Sequence, residues 1–319
     1  NSGIFGGNSV KTAIVTGANG FVGNAVTQEL LMNGYRIYAV VRENHSNNLP
    51  KNKNIIYISC DLSEVKCLPQ KLPTLESIDV FYHFAWAGST GEKRGDYDLQ
   101  IKNIQWTLDA AHIAKEIGCS KFVGIGTLAE LDVNVYAPLQ GSKPNIVSCY
   151  GAAKIAAHYM SKAECNRLGI EHIWVRLANV YGIGNFTSNF VNFAAKTMLT
   201  GQETNFSSGE QMYDFVHIDD VAQALYYLGQ KGQKNITYFV GSSKPAKLKE
   251  FIQLIRDEID SSISLNLGAV PFDGVAHSKD VFDCSRLIED TGYHPQVLFQ
   301  DGIRKTIPWI KTQIREGRI

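Results

Sequence analysis

The chain has 319 residues, with Lys+Arg 31 against Asp+Glu 31, 44% hydrophobic content and 19% charged content. That length suits one large α/β unit or two unequal lobes, with a core that needs neither metal nor disulfide. A formal net charge of zero excludes a nucleic-acid binder that draws its affinity from neutralising many phosphates, and the composition excludes a disordered chain.

Residues 1–9 are rich in Gly, Asn and Ser and carry no charged-then-apolar leader pattern, so no signal peptide is expected in them. From residue 11, short apolar runs alternate with amphipathic stretches. Residues 13–16 read as a buried strand, and 22–33 as a helix closed by Gly34. Strands are expected over 37–41, 55–60 and 80–85, then a helix over 99–117 and a strand over 121–126. A helix over 150–168 closes at Gly169, and 172–177 form a sixth strand. Such alternation predicts a parallel sheet covered on both faces and doubly wound. After Tyr181 the rhythm loosens. Helices are expected over 190–199 and 218–228, with short strands over 214–216, 237–240 and 264–267. Pro245 is expected in the first turn of a helix over 246–259, and a last helix covers 302–312. The expected organisation is a dinucleotide-binding domain over 1–180 and a smaller α/β substrate lobe over 181–319, with some elements interleaved. No apolar run reaches the length of a membrane span. The six cysteines form no C-x-x-C pair, so reduced thiols and a cytoplasmic location are expected.

Thr16-Gly17-Ala18-Asn19-Gly20-Phe21-Val22-Gly23 lies between the first strand and the first helix. Gly17 permits the tight turn, Gly20 lets a pyrophosphate approach the backbone, and Gly23 lets the helix pack on the strand. Asn19, Phe21 and Val22 flank the phosphates at the helix N-terminus. The second strand runs into Arg42-Glu43. An acidic residue at that strand end would accept from the ribose hydroxyls of NAD, whereas an Arg can pair with the 2′-phosphate of NADP. Arg42 favours NADP, and Glu43 keeps NAD open. Asp61 and Leu62 follow the third strand, where either an adenine contact or a helix cap is expected.

Tyr150-Gly151-Ala152-Ala153-Lys154 places a phenol and an ammonium on one helical face. A nearby Lys⁺ would favour phenolate and lower the phenol's pKa, so the pair can move a proton as hydride moves to or from a nicotinamide. Thr127 closes the fifth strand, with its hydroxyl available to the same substrate oxygen. Tyr227 and Lys231 repeat the spacing, but at a helix end with no hydroxyl-bearing strand before them. No role in the chemistry is expected of that copy. His217 to Val221 reads as a strand end with an N-cap carboxylate.

As a set, residues 16–23, His83-Phe84-Ala85-Trp86-Ala87, Asn103, Gly126-Thr127, Tyr150 to Lys154, 176–182 and 214–222 resemble an extended short-chain dehydrogenase/reductase of the nucleotide-sugar epimerase/dehydratase group. The resemblance runs in order over roughly residues 11–311. It implies a modified dinucleotide fold and a nucleoside-diphosphate sugar as substrate. It further implies that Phe84, Ala85 and Ala87 line the cofactor, with Val180 beside it and Asn179 near the substrate. The helices over 99–117 and 150–168 would form a homodimer contact. Trp86 would sit in a loop over the sugar pocket. Two departures narrow the chemistry. Sugar 4,6-dehydratases of this group carry Asp-Glu directly after the strand-end hydroxyl, and here Leu128-Ala129 stands there with Glu130 one place on. Many members have Arg before the Asp-Phe strand to grip the diphosphate, and here Met212-Tyr213 precedes Asp214. Arg286 and Lys196 are weak substitutes. The leading expectation is NADP-dependent reduction of a 4-keto nucleotide sugar, with Thr127, Tyr150 and Lys154 catalytic. A 4-epimerase holding NAD tightly is the alternative, and a non-catalytic NADP-binding regulator a weaker third.

Overall fold

The computed structural model describes residues 10–42, 48–73 and 77–319. Its first strands are β1 (Thr12–Thr16), β2 (Arg36–Val41), β3 (Ile55–Ser59), β4 (Val80–His83), β5 (Lys121–Thr127) and β6 (Glu171–Leu177). Shorter ones follow: β7 (Asn179–Tyr181), β8 (Asn205–Phe206), β9 (Met212–Tyr213), β10 (Phe215–His217), β11 (Thr237–Val240), β12 (Ala246–Lys247) and β13 (Asn266–Leu267). The helices are α1 (Phe21–Met32), α2 (Leu68–Lys71), α3 (Tyr97–Glu116), α4 (Ala129–Tyr136), α5 (Ile146–Leu168), α6 (Phe190–Leu199), α7 (Ile218–Lys231), α8 (Leu248–Ile259), α9 (Ser285–Thr291) and α10 (Phe299–Arg315).

Seven strands form the central sheet in the order β11-β6-β5-β4-β1-β2-β3, and every neighbouring pair runs parallel. β1 is buried along its whole length. Its pleat sends Ala13 and Val15 to one face and Ile14 to the other. Both faces are covered, which is why the strand is apolar without alternation. α1, α7 and α9 cover one face through Val26, Leu30, Leu225, Leu228 and Leu287. α3 and α5 cover the other through Ala110, Ile113, Ala114 and Cys165. β1 lies between β2 and β4, so the strand order reverses there and opens a crevice at the carboxyl ends. This is the doubly wound α/β fold that the sequence predicts. No described helix is long and apolar enough to cross a membrane.

The chain after residue 180 serves two cores. α6, α8 and α10 build a separate one with Phe206 and Phe215, while β11 pairs with β6 and α7 and α9 return to the sheet. Buried Asp220 fastens the two regions. Its carboxylate accepts hydrogen bonds from Tyr293 Oη at 2.5 Å, Gln296 N at 2.7 Å and Val297 N at 2.9 Å. The expected N-cap carboxylate is therefore occupied elsewhere. The ring of His217 caps α7 instead, with Nδ1 3.3 Å from Asp219 N. Lys231 of the second Tyr-x-x-x-Lys copy donates to Thr291 O at 3.1 Å, a structural anchor for α9.

Other elements also differ from the sequence reading. α5 begins at Ile146 rather than Tyr150 because Asn145 caps it and Ser148 completes a capping box. Ser at the third helical position makes this box less visible than the usual Glu or Gln. Ala246 and Lys247 pair with β9 as a strand, so α8 starts at Leu248 and Pro245 lies outside it. α4 falls between the strand expected over 121–126 and the helix expected over 150–168, where the sequence reading places no element. Its entry residue Leu128 offers no side-chain cap, and its position is set by tertiary contacts of Glu130.

Candidate active site

β1 ends at Thr16, and the turn beyond it needs glycine. Gly17 has φ +66°, a region that L side chains rarely adopt. A Cβ there would stand 2.9 Å from Ala85 N, so Phe84 and Ala85 pack directly on the turn. A Cβ on Gly23 would stand 2.1 Å from Gly17 O. Gly20 is exposed. It caps α1 without a side-chain hydrogen bond, and the first turn holds no acid. The positive helix end is thus left for an anion, and this cradle fits a dinucleotide pyrophosphate. Phe21, Val22 and Val180 are partly buried and pack against the adjoining core, and Asn19 Oδ1 accepts from Asn48 N at 3.0 Å. The second wall is equally fixed. Ala85 N donates to Thr16 Oγ1 at 3.3 Å, and Asn103 exchanges two hydrogen bonds with Ala87 at 2.9 and 2.8 Å. Thr16 Oγ1 also lies 3.0 Å from His83 Nδ1. Burial pushes His83 down to about 3, which keeps it neutral. Gly23→Ala should cost about 1–3 kcal/mol by overpacking and weaken dinucleotide binding. Denaturant unfolding and a fluorescence titration with NADPH check both.

Arg42 is exposed at the end of β2, close enough for its charge to help lower the Asp61 pKa. Of the two uses foreseen for Asp61, the carboxylate takes the cap. It accepts from Ser63 N at 2.9 Å and Ser63 Oγ at 2.6 Å, starting the 3-10 helix Leu62–Cys67. Those Ser63 bonds are the main cause of its low pKa. Glu43, the alternative ribose partner, lies outside the described residues.

Thr127 and Tyr150 meet in the wall of a cavity of about 400 Å³ that also includes Asn179 and Arg94. Such a volume suits a small-molecule ligand. Close approach of two helices places the phenol: a Cβ on Gly151 would stand 2.2 Å from Ala129 O. Asn179 is held by β7, its Nδ2 donating to Asp214 O at 3.2 Å. Burial pushes Tyr150 up to about 12, against the charge of Arg94 and hydrogen bonding with Thr127. This corrects the expected lowering by Lys154. Lys154 Nζ lies 5.9 Å from the Tyr150 ring centroid and donates to Ile125 O at 2.8 Å. Burial pushes Lys154 down to about 7. The nearer cation over the phenol ring is Arg94, its guanidinium carbon 5.2 Å from the centroid. Sequence reasoning missed Arg94, which stands in the short 3-10 segment Gly91–Gly95 with no motif to mark it.

Trp86 does not line this cavity. It packs edge-on to Tyr150 at 6.1 Å and 83°. Met212 and Tyr213 do line it, whereas Lys196 and Arg286 do not. Arg286 is paired with Asp290 at 2.8 Å. Among the lining residues not foreseen, Asp132 on α4 meets His277 Nε2 at 2.6 Å.

Glu130 is fully buried. Its carboxylate accepts from Thr127 N at 2.9 Å, Trp174 Nε1 at 3.0 Å and Arg176 Nε at 2.9 Å, and His158 Nδ1 lies 3.7 Å away. Burial alone would raise its pKa, but these partners outweigh it and hold the carboxyl below its usual range. Glu130 is thus committed to the backbone that carries Thr127.

Comparison with known proteins agrees with this architecture. The model of the NAD dependent epimerase/dehydratase family matches residues 13–241. The chain belongs to that family. A putative UDP-glucose 4-epimerase of Methanocaldococcus jannaschii is 24% identical across 95% of this chain and 99% of that protein. A dTDP-glucose 4,6-dehydratase of Haemophilus influenzae is 21% identical across 93% and 96%. In fold, this epimerase/dehydratase-family chain superposes on the UDP-glucose 4-epimerase of Thermotoga maritima, crystallised with UDP-glucose. The TM-score is 0.79 at 22% identity, covering 95% of this chain and 99% of that one. It also superposes on Bordetella bronchiseptica WbmF in complex with NADH, with TM-score 0.79 at 20% identity over 96% and 93%.

Proposed function

We propose that this family member reduces a keto carbon of a nucleoside-diphosphate sugar, C4 being the leading position, with NADPH as reductant. The observation that carries this reading is the Tyr150–Thr127 pair in the cavity wall, with burial holding the phenol protonated near neutral pH. A protonated phenol is the form that donates to a carbonyl oxygen. The turn at Gly17, Gly20 and Gly23 would hold the pyrophosphate, with Asn19, Phe21, Val22, Phe84, Ala85, Ala87 and Val180 along the dinucleotide. A bound nicotinamide supplies the hydride. Thr127 orients the substrate oxygen and Tyr150 delivers its proton. Lys154 holds the nicotinamide ribose, and Asn179 and Arg94 face the sugar. Arg42 would take the 2′-phosphate, beside Asp61 and Leu62 at the adenosine end.

The positions directly after Thr127 argue against dehydration, since Leu128 and Ala129 carry no titratable group and Glu130 is spent on Thr127. A second reading, 4-epimerisation with retained NAD, draws support from the full-length likeness to the putative UDP-glucose 4-epimerase. Two copies would associate through α3 and α5, which pack together and leave Tyr97, Ile101, Tyr159 and Met160 exposed. The substrate lobe is assigned to the chain after residue 180, apart from the elements that return to the sheet.

The protein should oxidise one NADPH per 4-keto nucleotide sugar, followed by loss of absorbance at the nicotinamide band. Arg42→Ala should raise the KM for NADPH with little effect on NADH. Interconversion of two sugar epimers by protein that purifies with bound NAD, without net oxidation of added NADPH, would overturn the reductase reading in favour of the epimerase.

A further inference from the structure

The resemblance leaves Trp86 over the sugar, yet its contacts lead elsewhere. Trp86 leaves the carboxyl end of β4, and Lys154 Nζ lies 3.8 Å from the centre of its ring. That is close enough for a desolvated cation–π contact. The indole is not free to swing. Its Nε1 donates to Gln100 Oε1 at 2.9 Å. Gln100 is 1% exposed, and its amide nitrogen donates to Gly88 O and Lys93 O, both at 3.0 Å. The loop backbone therefore fixes Gln100, Gln100 fixes the indole, and the indole faces the ammonium.

The same ammonium donates to Ile125 O. Carbonyl and π face are both neutral, so a buried cation is held without a carboxylate in contact. Among the described residues, the titratable groups facing it are Tyr150 on its own helix, His83 at the end of β4 and Glu130 on α4, while Arg94 lies over Tyr150. Glu130 acts through space and favours the charged form, but its oxygens are taken by Thr127, Trp174 and Arg176.

We propose that Trp86 is a positioning residue for Lys154, its π face standing in for a counter-ion and holding Nζ at the carboxyl end of β5. This rests on the reading that Lys154 serves the hydride-transfer site. The indole would keep the ammonium charged and aimed along one line, ready to meet ribose hydroxyls when a dinucleotide binds. It also separates the tasks of two cations, with Lys154 on the indole and Arg94 over the phenol.

The test compares Trp86→Phe, which keeps a π face, with Trp86→Leu, which keeps apolar bulk alone. The whole chain is labelled with ¹⁵N-lysine. The Lys154 ammonium signal is assigned by its loss in Lys154→Met and titrated by NMR without and with added NADPH. Lys154 is expected to titrate about one pH unit lower in Trp86→Leu than in Trp86→Phe. The fall of kcat/KM on the alkaline side should move down by the same amount. Equal Lys154 titrations in the two variants overturn the proposal. A shifted titration with an unshifted rate profile upholds the indole–ammonium contact and counts against Lys154 in catalysis, so the two failures are distinguishable. If Trp86→Leu does not fold, Trp86→Met, closer in size, gives the same comparison.

Discussion

Tyr150→Phe is expected to lower kcat by about 10²- to 10⁴-fold, the usual worth of a positioned acid or base, with KM and stability little changed. The ring sits in the second turn of α5, closely packed and 7% exposed. Phenylalanine keeps that packing and removes only the hydroxyl. With the phenol pushed up to about 12, the proposed function has wild-type Tyr150 enter the reaction as an acid. Its loss leaves the developing alkoxide with the Thr127 hydroxyl alone. Thr127→Val should therefore cost less than Tyr150→Phe. The double variant should be little worse than Tyr150→Phe, because the two groups act on one oxygen and are not additive. Steady-state rates on a proven substrate decide this. A Tyr150→Phe enzyme within about threefold of wild type, well short of that acid–base range, would remove the phenol from the mechanism.

The largest loss of stability is expected from Glu130→Leu, at about 3–5 kcal/mol. The substitution leaves the Arg176 guanidinium half-buried without its carboxylate, and it orphans the Thr127 and Trp174 N–H groups. Those are the costly consequences of breaking one side of a buried pair. Urea unfolding at neutral pH measures the loss. Glu130→Gln keeps the shape and should lie between the two. If Glu130→Gln abolished turnover at unchanged stability, Glu130 would be acting on substrate, and dehydration would return as a reading.

The sheet was legible because its strands are buried on both sides and so form unbroken apolar runs. The glycine turn was legible because backbone geometry and close packing leave few alternatives to glycine at Gly17 and Gly23. Order and spacing pointed to Thr127 and Tyr150, which share one cavity wall, and to Lys154, but the electrostatics of these residues could not be read that way. Spacing puts Lys154 one turn from Tyr150, whereas distance and burial determine which cation the phenol feels. That cation is Arg94, from a short 3-10 turn that no local periodicity marks. α4 was unreadable for a related reason: besides neighbouring Thr127, the contacts of Glu130 are made with Trp174 and Arg176 on β6, far away in sequence. Pro245 misled because a helix-start signal competed with strand pairing to Met212 and Tyr213, and the pairing won.

The return of β11 to the central sheet limits what can be exchanged between relatives. A chain cut after residue 180 would bare β6 as an edge strand, with its outer N–H and C=O groups open to other strands. It would also strip α7 and α9 from the face they share with α1. Specificity therefore cannot be grafted as a C-terminal cassette. On the proposed function, a chimaera that imports a new substrate pocket must keep β11, α7 and α9 from the recipient, and splice the donor around them in several separate pieces.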